Sequence, residues 1–263
     1  MKRAIFPIAL TIAGSDSGGG AGIQADLKTF TALGCHGTTA ITCITAQNPK
    51  GVSGIQPIRA DMVRKQIEAV FAELPPRAVK TGMLYSADLI NVVADFFAHD
   101  KRPPLVVDPV MVATSGAVLL KPAAIRVLKE RLLPLAALVT PNLDEAQLLL
   151  GRKLRSLEDL LDAAAEIHAR FGCAALVKGG HLRLSADAVD VLFDGEYFTV
   201  LKARRVRGVS THGTGCTYAA AIAAHLAQGE TLPRAVAMAK KFITRAIARS
   251  YRTGRHWTLH PSF

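Results

Sequence analysis

Cysteine, acidic side chains and long apolar runs are all scarce in this sequence. The four cysteines among 263 residues form no Cys-x-x-Cys pair, and none has a histidine at a spacing typical of a zinc site. These absences argue against a zinc-binding fold. Because Cys35, Cys43 and Cys173 lie in apolar or strand-like stretches, we expect them to be buried thiols.

No apolar run reaches the length of a membrane-spanning helix. The apolar start of the chain leads into Gly14-Ser15-Asp16-Ser17-Gly18-Gly19-Gly20, which is typical of a loop after a first strand rather than of a signal-peptide cleavage site. With 50% hydrophobic and 20% charged residues, the chain can bury a sizeable core, and disorder is not expected. We expect one cytoplasmic domain over residues 1–263 that does not bind membranes and that forms a homodimer.

Basic residues outnumber acidic ones, 32 to 21, which gives a formal net charge of +11. Such a surface suits polyanionic ligands, either nucleotides or nucleic acids. The cations are scattered, however, and no nucleic-acid-binding motif accompanies the tight cluster Arg204-Arg205-Val206-Arg207. We expect a small-molecule ligand and no nucleic acid, and a non-catalytic nucleic-acid-binding protein is a remote alternative.

Short apolar runs alternate with longer amphipathic ones, which predicts a mainly parallel sheet with helices on both faces. The predicted strands cover 4–13, 38–45, 79–83, 105–110, 137–140 and 174–178, followed by a hairpin of 189–193 with 197–201. The predicted helices cover 21–33, 60–74, 86–98, 122–132, 143–150, 156–171, 216–228 and 232–251. No linker or repeat divides the chain, so a single α/β domain is the simplest architecture.

Polar residues and glycines recur where the predicted strands end. They are Gly14-Ser15-Asp16, Thr45-Ala46-Gln47-Asn48, Thr81-Gly82-Met83, Asp108-Pro109, Thr140-Pro141-Asn142 and Lys178-Gly179-Gly180. In open parallel sheets the ligand binds outside the carboxyl ends of the strands. The coincidence predicts an enzyme active site at this edge of the sheet.

The chain has no Walker loop, but Thr211-His212-Gly213-Thr214-Gly215-Cys216 precedes an alanine-rich run of strong helix propensity. A glycine turn at a helix start gathers backbone N–H groups and the positive end of the helix dipole, which suits an anion. A glycine-rich loop before a packed helix is the alternative. Because Cys216 falls in the first helical turn, we expect its thiolate to be favoured.

Phosphoryl transfer needs positive charge and N–H donors around the phosphates, and carboxylates for a metal ion. Lys178 ends a buried strand and can reach a phosphate, or it is only a surface lysine. Asp108 follows two valines at the sheet rim, where a carboxylate can hold Mg²⁺ through water. Asn142 and Glu145 either cap the next helix or bind the metal ion through waters.

Two further polar residues lie near the first strands. Gln47 offers a donor and an acceptor, which suits the edge of a nitrogen heterocycle, unless it is only a loop residue. Asp26 lies on the first predicted helix, one turn after Gly22, where a solvated helix residue is one interpretation.

Seven blocks in order give the chain a resemblance to the hydroxymethylpyrimidine/phosphomethylpyrimidine kinases of thiamin biosynthesis, within the ribokinase-like superfamily. The most specific block is AGSDSGGGAGIQADLKT at 13–29, and the others are AQN at 46–48, KTGML at 80–84, VDPVM at 107–111, TPNLDEA at 140–146, KGGH at 178–181 and HGTGC at 212–216. Many family members read Asp-Pro-Ser-Gly-Gly in the first loop. This chain has Ser17 after Asp16, so a rigid proline is lost and the mobility of the loop is left open.

The resemblance implies a single-domain ribokinase-like three-layer αβα sandwich and two successive ATP-dependent phosphorylations. The first acts on the hydroxymethyl group of 4-amino-5-hydroxymethyl-2-methylpyrimidine, and the second converts the monophosphate to the diphosphate. Pyridoxal and pyridoxine kinases of the same superfamily are the alternative, since their substrates also carry a hydroxymethyl group beside a ring nitrogen.

The resemblance also implies roles for particular residues. The pyrimidine pocket would be lined by Gly14, Asp26, Gln47, Met83 and Val110, with Asp26 and Gln47 bonded to the aminopyrimidine. The residues that bind Mg-ATP would be Asp108, Asn142, Glu145 and Lys178, of which Asp108 and Glu145 would bind the metal ion. The anion hole would comprise Gly213, Thr214, Gly215 and Cys216. Cys216 stands where the sugar kinases carry an aspartate base, so it either deprotonates or orients the hydroxyl or only lines the pocket.

Overall fold

The computed structural model describes residues 5–99, 102–111, 120–180, 182, 187–209 and 212–261. The main strands are β1 Ile8–Asp16, β2 His36–Asn48, β3 Gly51–Pro57, β4 Ala78–Thr81, β5 Leu105–Val107, β6 Leu138–Val139, β7 Ala174–Lys178, β8 Asp187–Phe193 and β9 Phe198–Arg204. Within this described part they form one nine-stranded sheet in the order β3-β2-β1-β4-β5-β6-β7-β8-β9. The strands from β2 through β1 and β4 to β7 pair in parallel, and β3, β8 and β9 pair antiparallel at the two sides. The predicted mainly parallel sheet is confirmed.

Helices cover both faces of this sheet. They are α1 Gly22–Ala32, α2 Ala60–Glu73, α3 Ala87–Phe97, α4 Pro122–Val127, α5 Leu143–Leu150, α6 Leu157–Phe171, α7 Thr214–Ala227 and α8 Leu232–Ala248. Successive strand residues point to opposite faces, so Val106 packs against α1, α7 and α8 while Val107 packs on the side of α2 to α6. The result is the expected three-layer αβα sandwich.

The edge strand β3 and a C-terminal hairpin were not predicted from the sequence. β3 is largely exposed and contains two glycines, so it has no apolar alternation to detect, yet it pairs with β2 at the edge of the sheet. The predicted helix 232–251 ends at Ala248, after which β10 Tyr251–Thr253 pairs with β11 His256–Thr258 in a separate hairpin. β1 runs on to Asp16, past the predicted end at 13, and the predicted start at Ala4 lies outside the described residues.

Proline determines two other boundaries. The predicted strand 105–110 ends at Val107, because Asp108 is followed by a proline without the N–H that a strand would donate. The predicted helix 122–132 is α-helical only to Val127, continues as a π turn over Leu128–Leu132, and tightens into a 3₁₀ turn over Leu133–Leu135. Pro134 lies in this last turn, where it cannot continue the helix.

Side-chain caps fix the starts of the helices that flank the sheet edge. Ser86, the N-cap residue of α3, accepts a hydrogen bond from the amide of Leu89 at 3.3 Å. Ser156 accepts from the amide of Asp159 at 3.0 Å, and the Asp159 carboxylate accepts from the amide of Ser156 at 3.0 Å. This reciprocal capping box starts α6. None of the described helices is long and apolar enough to span a membrane.

We predict that Ser156→Ala lowers the free energy of unfolding by about 1 kcal/mol, because the amide of Asp159 loses its acceptor. Urea denaturation measures the change. Ser156→Gly is the matched control and should cost only about a few tenths of a kcal/mol, since glycine leaves the cap position open to water. Equal losses in both variants would contradict a capping role.

Candidate active site

A cavity of about 390 Å³ opens at the carboxyl edge of the parallel strands. Nearly all of the predicted site residues line it: Gly14, Gln47, Met83, Asp108, Val110, Asn142, Glu145, Lys178, Gly213, Thr214, Gly215 and Cys216. Asp26 is the exception, because its carboxyl group is fully buried beside Lys80, which does line the cavity. The structure therefore brings residues from seven separate stretches of the sequence into one site.

The carboxylate of Asp16 organises the glycine-rich loop after β1. Its Oδ1 accepts from the amide of Gly18 at 2.8 Å, and its Oδ2 accepts from the amides of Gly20 at 3.0 Å and Ala21 at 2.8 Å. His212 Nε2 lies 3.6 Å from Oδ2. Burial alone would raise the pKa of Asp16, but the nearby His212 and the hydrogen bonds from the loop amides outweigh it and lower the pKa. Asp16 was not among the predicted site residues, although an aspartate before several glycines is a recognised turn signal.

Ser17 compensates for the missing proline of the first loop. Its hydroxyl donates to the carbonyl oxygen of Gln47 at 2.7 Å and accepts from the amide of Gln47 at 2.8 Å. This pair of bonds ties the loop to the end of β2. It also fixes the backbone of Gln47, whose Oε1 accepts from Thr45 Oγ1 at 3.1 Å.

The glycine turn before α7 presses directly against this first loop. Gly213 is the N-cap of α7 with φ +79°, and a Cβ there would lie 1.8 Å from the carbonyl oxygen of Gly20. Only glycine tolerates both the left-handed backbone and the contact. Thr214, the first residue of the helix, has a buried Oγ1 with no hydrogen-bond partner. An unsatisfied hydroxyl at a helix N-terminus that faces a cavity supports the predicted anion site.

Lys178 and Asp108 stand opposite this helix start. Lys178 Nζ lies 3.1 Å from Asp108 Oδ1, and a Cβ on Gly215 would lie 3.4 Å from Nζ and 3.6 Å from Asp108 Oδ2. Burial by itself would lower the pKa of Lys178, but the carboxyl groups of Asp108 and Glu145 outweigh burial and raise it. Lys178 is therefore a buried cation at the site, and its interpretation as a surface lysine is wrong.

Glu145 caps α5 and holds a strained loop. Its Oε2 accepts from the amide of Asn142 at 2.9 Å, and Asn142 Oδ1 accepts from the amide of Glu145 at 2.9 Å. The other oxygen, Oε1, accepts from the amide of Met111 at 3.1 Å. The neighbouring Val110 has φ +43°, a strained value for a β-branched residue. Burial raises the pKa of Glu145 to about 7, and the nearby Asp108 adds to this rise.

The carboxylates offer little direct coordination to a metal ion. Among the described residues, no group of three or more His, Cys, Asp or Glu side chains is arranged to hold one. Both oxygens of Glu145 already accept backbone hydrogen bonds, so Asp108 is the carboxylate suited to direct contact. A single carboxylate with waters and substrate phosphates is a donor set that Mg²⁺ accepts.

Lys80 is a site residue that the sequence analysis missed. Its side chain is fully buried, and Nζ lies 2.8 Å from Asp26 Oδ2, which also accepts from Thr11 Oγ1 at 2.6 Å. Burial by itself would lower the pKa of Lys80, but its carboxylate neighbours, Asp26 first among them, outweigh burial and raise it. The interpretation of Asp26 as a solvated helix residue is therefore wrong. A lysine at the end of a short strand carries no sequence signal that separates it from a surface cation.

The environment of Cys216 overturns the expectation of a thiolate. The thiol is partly buried in the first turn of α7. Burial raises its pKa to about 11, although Lys80 acts in the opposite direction. Desolvation of the anion outweighs the opposing charge of Lys80, so we expect the resting protein to hold Cys216 as a thiol. Cys35, Cys43 and Cys173 are buried thiols, as predicted.

These features define the class of the protein as an α/β kinase that phosphorylates a small molecule. The chain matches the family model described as phosphomethylpyrimidine kinase over residues 16–260. A hydroxymethylpyrimidine/phosphomethylpyrimidine kinase of Rhizobium meliloti is 51% identical over 247 residues, which cover 93% of this chain and 92% of that protein. The chain belongs to the phosphomethylpyrimidine kinase family.

Other similar proteins include a two-function thiamine biosynthesis protein and two kinases of known structure. The thiamine biosynthesis bifunctional protein ThiED of Geobacter sulfurreducens is 51% identical over 97% of this chain, and the chain spans only 52% of that protein. A phosphomethylpyrimidine kinase from Clostridium difficile has a TM-score of 0.82 at 44% identity, covering 92% of this chain and 99% of that one. A Bacillus subtilis pyridoxal kinase in an ADP complex has a TM-score of 0.89 at 40% identity, covering 97% of each chain.

We predict that Lys80→Met lowers the free energy of unfolding by roughly 3–5 kcal/mol, because it leaves the buried Asp26 carboxylate without its cation. Thermal and urea denaturation measure the loss. Lys65→Met, at an exposed lysine of α2, is the matched control and should stay within about 0.5 kcal/mol of the parent. Similar losses in the two variants would show that the ion pair does not carry the effect.

We predict that iodoacetamide labels Cys216 slowly at neutral pH, at a rate that rises about tenfold per pH unit up to about pH 10. The thiolate is the nucleophile, and the pKa of this thiol is about 11. Peptide mass spectrometry separates Cys216 from the other three thiols, and a free cysteine supplies the reference curve. A labelling rate that levels off below about pH 8 would show that Cys216 is a thiolate at neutral pH, and hence that it can act as a base.

Proposed function

We propose that this chain uses ATP to phosphorylate 4-amino-5-hydroxymethyl-2-methylpyrimidine and then its monophosphate, in thiamin biosynthesis. The observation that carries the proposal is a single cavity with two chemically different ends. One end has Lys178 and the start of α7, and the other has Gln47, Met83 and Val110. The names of the relatives that match almost the whole chain support the same activity.

The acceptor end offers hydrogen-bond groups for an aminopyrimidine. Asp26 Oδ2 accepts from both Lys80 and Thr11, while Oδ1 is buried with no hydrogen-bond partner. An unsatisfied buried carboxylate oxygen calls for a donor, and the 4-amino group is a donor of the right kind. We assign recognition of the ring edge to Gln47, which lines the cavity, and recognition of the amino group to Asp26 Oδ1. The second contact requires the ring to reach past the cavity wall, because Asp26 is buried beside Lys80 and does not itself line the cavity.

The nucleotide end is apolar and adjoins the phosphate-binding groups. Val206, Ile243 and Ile247 line it and suit the faces of a nucleobase. We place the phosphates of ATP between Lys178 and the α7 N-terminus. Mg²⁺ would contact Asp108 and reach Glu145 through water, and when bound it neutralises charge on the phosphate oxygens.

The protein's part in the transfer is then positioning and electrostatics. Lys178 and the backbone N–H groups at the start of α7 stabilise the charge that develops on the transferred phosphoryl group. Because Cys216 is held as a thiol, we assign it to lining the site and orienting the hydroxymethyl group. In the second step the acceptor is already a phosphate, so a base is needed less.

The test is ATP consumption with hydroxymethylpyrimidine as acceptor, with the products resolved by anion-exchange chromatography. We expect the monophosphate first and the diphosphate after it. Asp108→Asn should lower kcat by roughly 10²-fold or more, because the metal ion that neutralises the phosphates loses its carboxylate ligand. Asp88→Asn, at an exposed residue of α3, is the matched control and should leave kcat within about twofold. No product with any vitamin precursor would overturn the proposal.

A pyridoxal kinase is the second candidate, supported by the similarity to the Bacillus subtilis pyridoxal kinase. We propose that pyridoxal is at most a side substrate, because its ring lacks the amino group assigned to Asp26. Comparing kcat/KM for the two acceptors decides between them. Monophosphate alone, with pyridoxal equally good, would establish a vitamin B6 kinase with a broad pocket.

Three further expectations stay proposals. A cytoplasmic location is supported by the four free thiols, which suit a reducing compartment. The homodimer has no assigned interface and is tested by analytical ultracentrifugation. The remote nucleic-acid alternative loses support because Arg205, in the basic cluster, donates to the backbone carbonyl groups of Gly180, Leu182 and Asp187.

A further inference from the structure

Asp190 and Lys240 form a buried ion pair beside the nucleotide end of the cavity. Asp190 Oδ2 lies 2.6 Å from Lys240 Nζ, and the two side chains are 4% and 9% exposed. Removing two charges from water costs several kcal/mol per ion, and an apolar pair of similar size would often hold a fold as well. Joining β8 to α8 therefore does not by itself explain why this buried site holds two charged residues.

The hydrogen bonds of the pair reach the backbone of a loop at the site. Asp190 Oδ1 accepts from the amide of Gly179 at 3.1 Å, and Lys240 Nζ also donates to the carbonyl oxygen of Ala188 at 3.1 Å. Gly179 fits closely against β8, because a Cβ there would lie 2.4 Å from the carbonyl oxygen of Val189. The Gly179 amide is thus fixed to β8 by one charged acceptor and by close packing.

Gly179 directly follows Lys178, which faces the phosphate-binding end. The amide of Lys178 donates to the carbonyl oxygen of Pro141 at 2.9 Å, and its Nζ lies 3.1 Å from Asp108 Oδ1. On the other side, Arg205 donates to the carbonyl oxygen of Gly180. Each residue of the 178–180 segment is therefore anchored by a different part of the fold, and Asp190 anchors the middle one.

We propose that Asp190 is a positioning residue for phosphoryl transfer, acting through the amide of Gly179 on the placement of Lys178, with Lys240 as its counter-ion. The inference rests on the proposed kinase function. In this proposal the reaction depends on the hydrogen bond between Asp190 and the Gly179 amide, and not on the buried charge of Asp190.

Two double variants separate the hydrogen bond from the charge. Asp190→Asn with Lys240→Met removes both charges and keeps an acceptor oxygen for Gly179. Asp190→Leu with Lys240→Met also removes both charges and leaves the Gly179 amide without an acceptor. Thermal unfolding first shows that both are folded at the assay temperature. Steady-state kinetics then gives kcat and KM for ATP and for hydroxymethylpyrimidine.

We expect the leucine variant to lose roughly tenfold or more in kcat, because small misplacements of a phosphate-binding group are costly. The asparagine variant should recover most of that loss, with KM for the pyrimidine within about twofold in both. Equal kcat in the two variants, or a loss confined to KM for the pyrimidine, would overturn the inference. An inactive parent protein would instead refute the proposed function.

If the leucine variant does not fold, Asp190→Glu provides the same test. It keeps the charge pair but displaces the carboxylate by one methylene group. We expect kcat to fall while the melting temperature shifts by only a few degrees, and full retention of kcat would overturn the inference.

Discussion

Three buried pairs of a carboxylate and an ammonium group hold the active-site edge of this protein together. They are Asp26–Lys80 at 2.8 Å, Asp108–Lys178 at 3.1 Å and Asp190–Lys240 at 2.6 Å. The first joins α1 to β4, the second joins the end of β5 to β7, and the third joins β8 to α8. Because either ion alone would be severely destabilised away from water, each pair forms only when both of its elements are in place. The strand ends and the helices on the α1, α7 and α8 face are thereby coupled around the cavity.

The two glycine loops depend on this frame and complete it. The loop after β1 is organised by Asp16 and tied to β2 by Ser17. The turn before α7 rests on that loop, with Gly213 against the carbonyl oxygen of Gly20. A side chain at position 213 would push the helix start away from Lys178 and from the phosphates it is proposed to bind. Backbone proximity, rather than a charged side chain, therefore shapes the proposed anion site on the α7 side.

The fold alone does not select the acceptor. A pyridoxal kinase and a phosphomethylpyrimidine kinase both share this architecture, with TM-scores of 0.89 and 0.82. Discrimination must therefore come from a few groups at the acceptor end. The unpaired oxygen of Asp26 is the group that we propose favours a ring that donates a hydrogen bond. Because the pKa of Cys216 is high, this thiol is poorly suited to abstract a proton at neutral pH. We therefore propose that the chain contributes to phosphoryl transfer mainly by positioning the reactants.

The sequence by itself determined what depends on neighbours along the chain. Apolar periodicity predicted the order of strands and helices, Ser156 and the Asn142–Glu145 pair carried their caps in the local sequence, and the glycine turn before Cys216 marked the helix start. Only the tertiary structure decided which charges are buried. Lys80 and Asp26 are 54 residues apart in the sequence, and Lys240 and Asp190 are 50 apart, so no local sequence pattern predicts either ion pair. Burial also reversed the expected state of Cys216, because desolvation is a property of the packed site and not of the sequence around it.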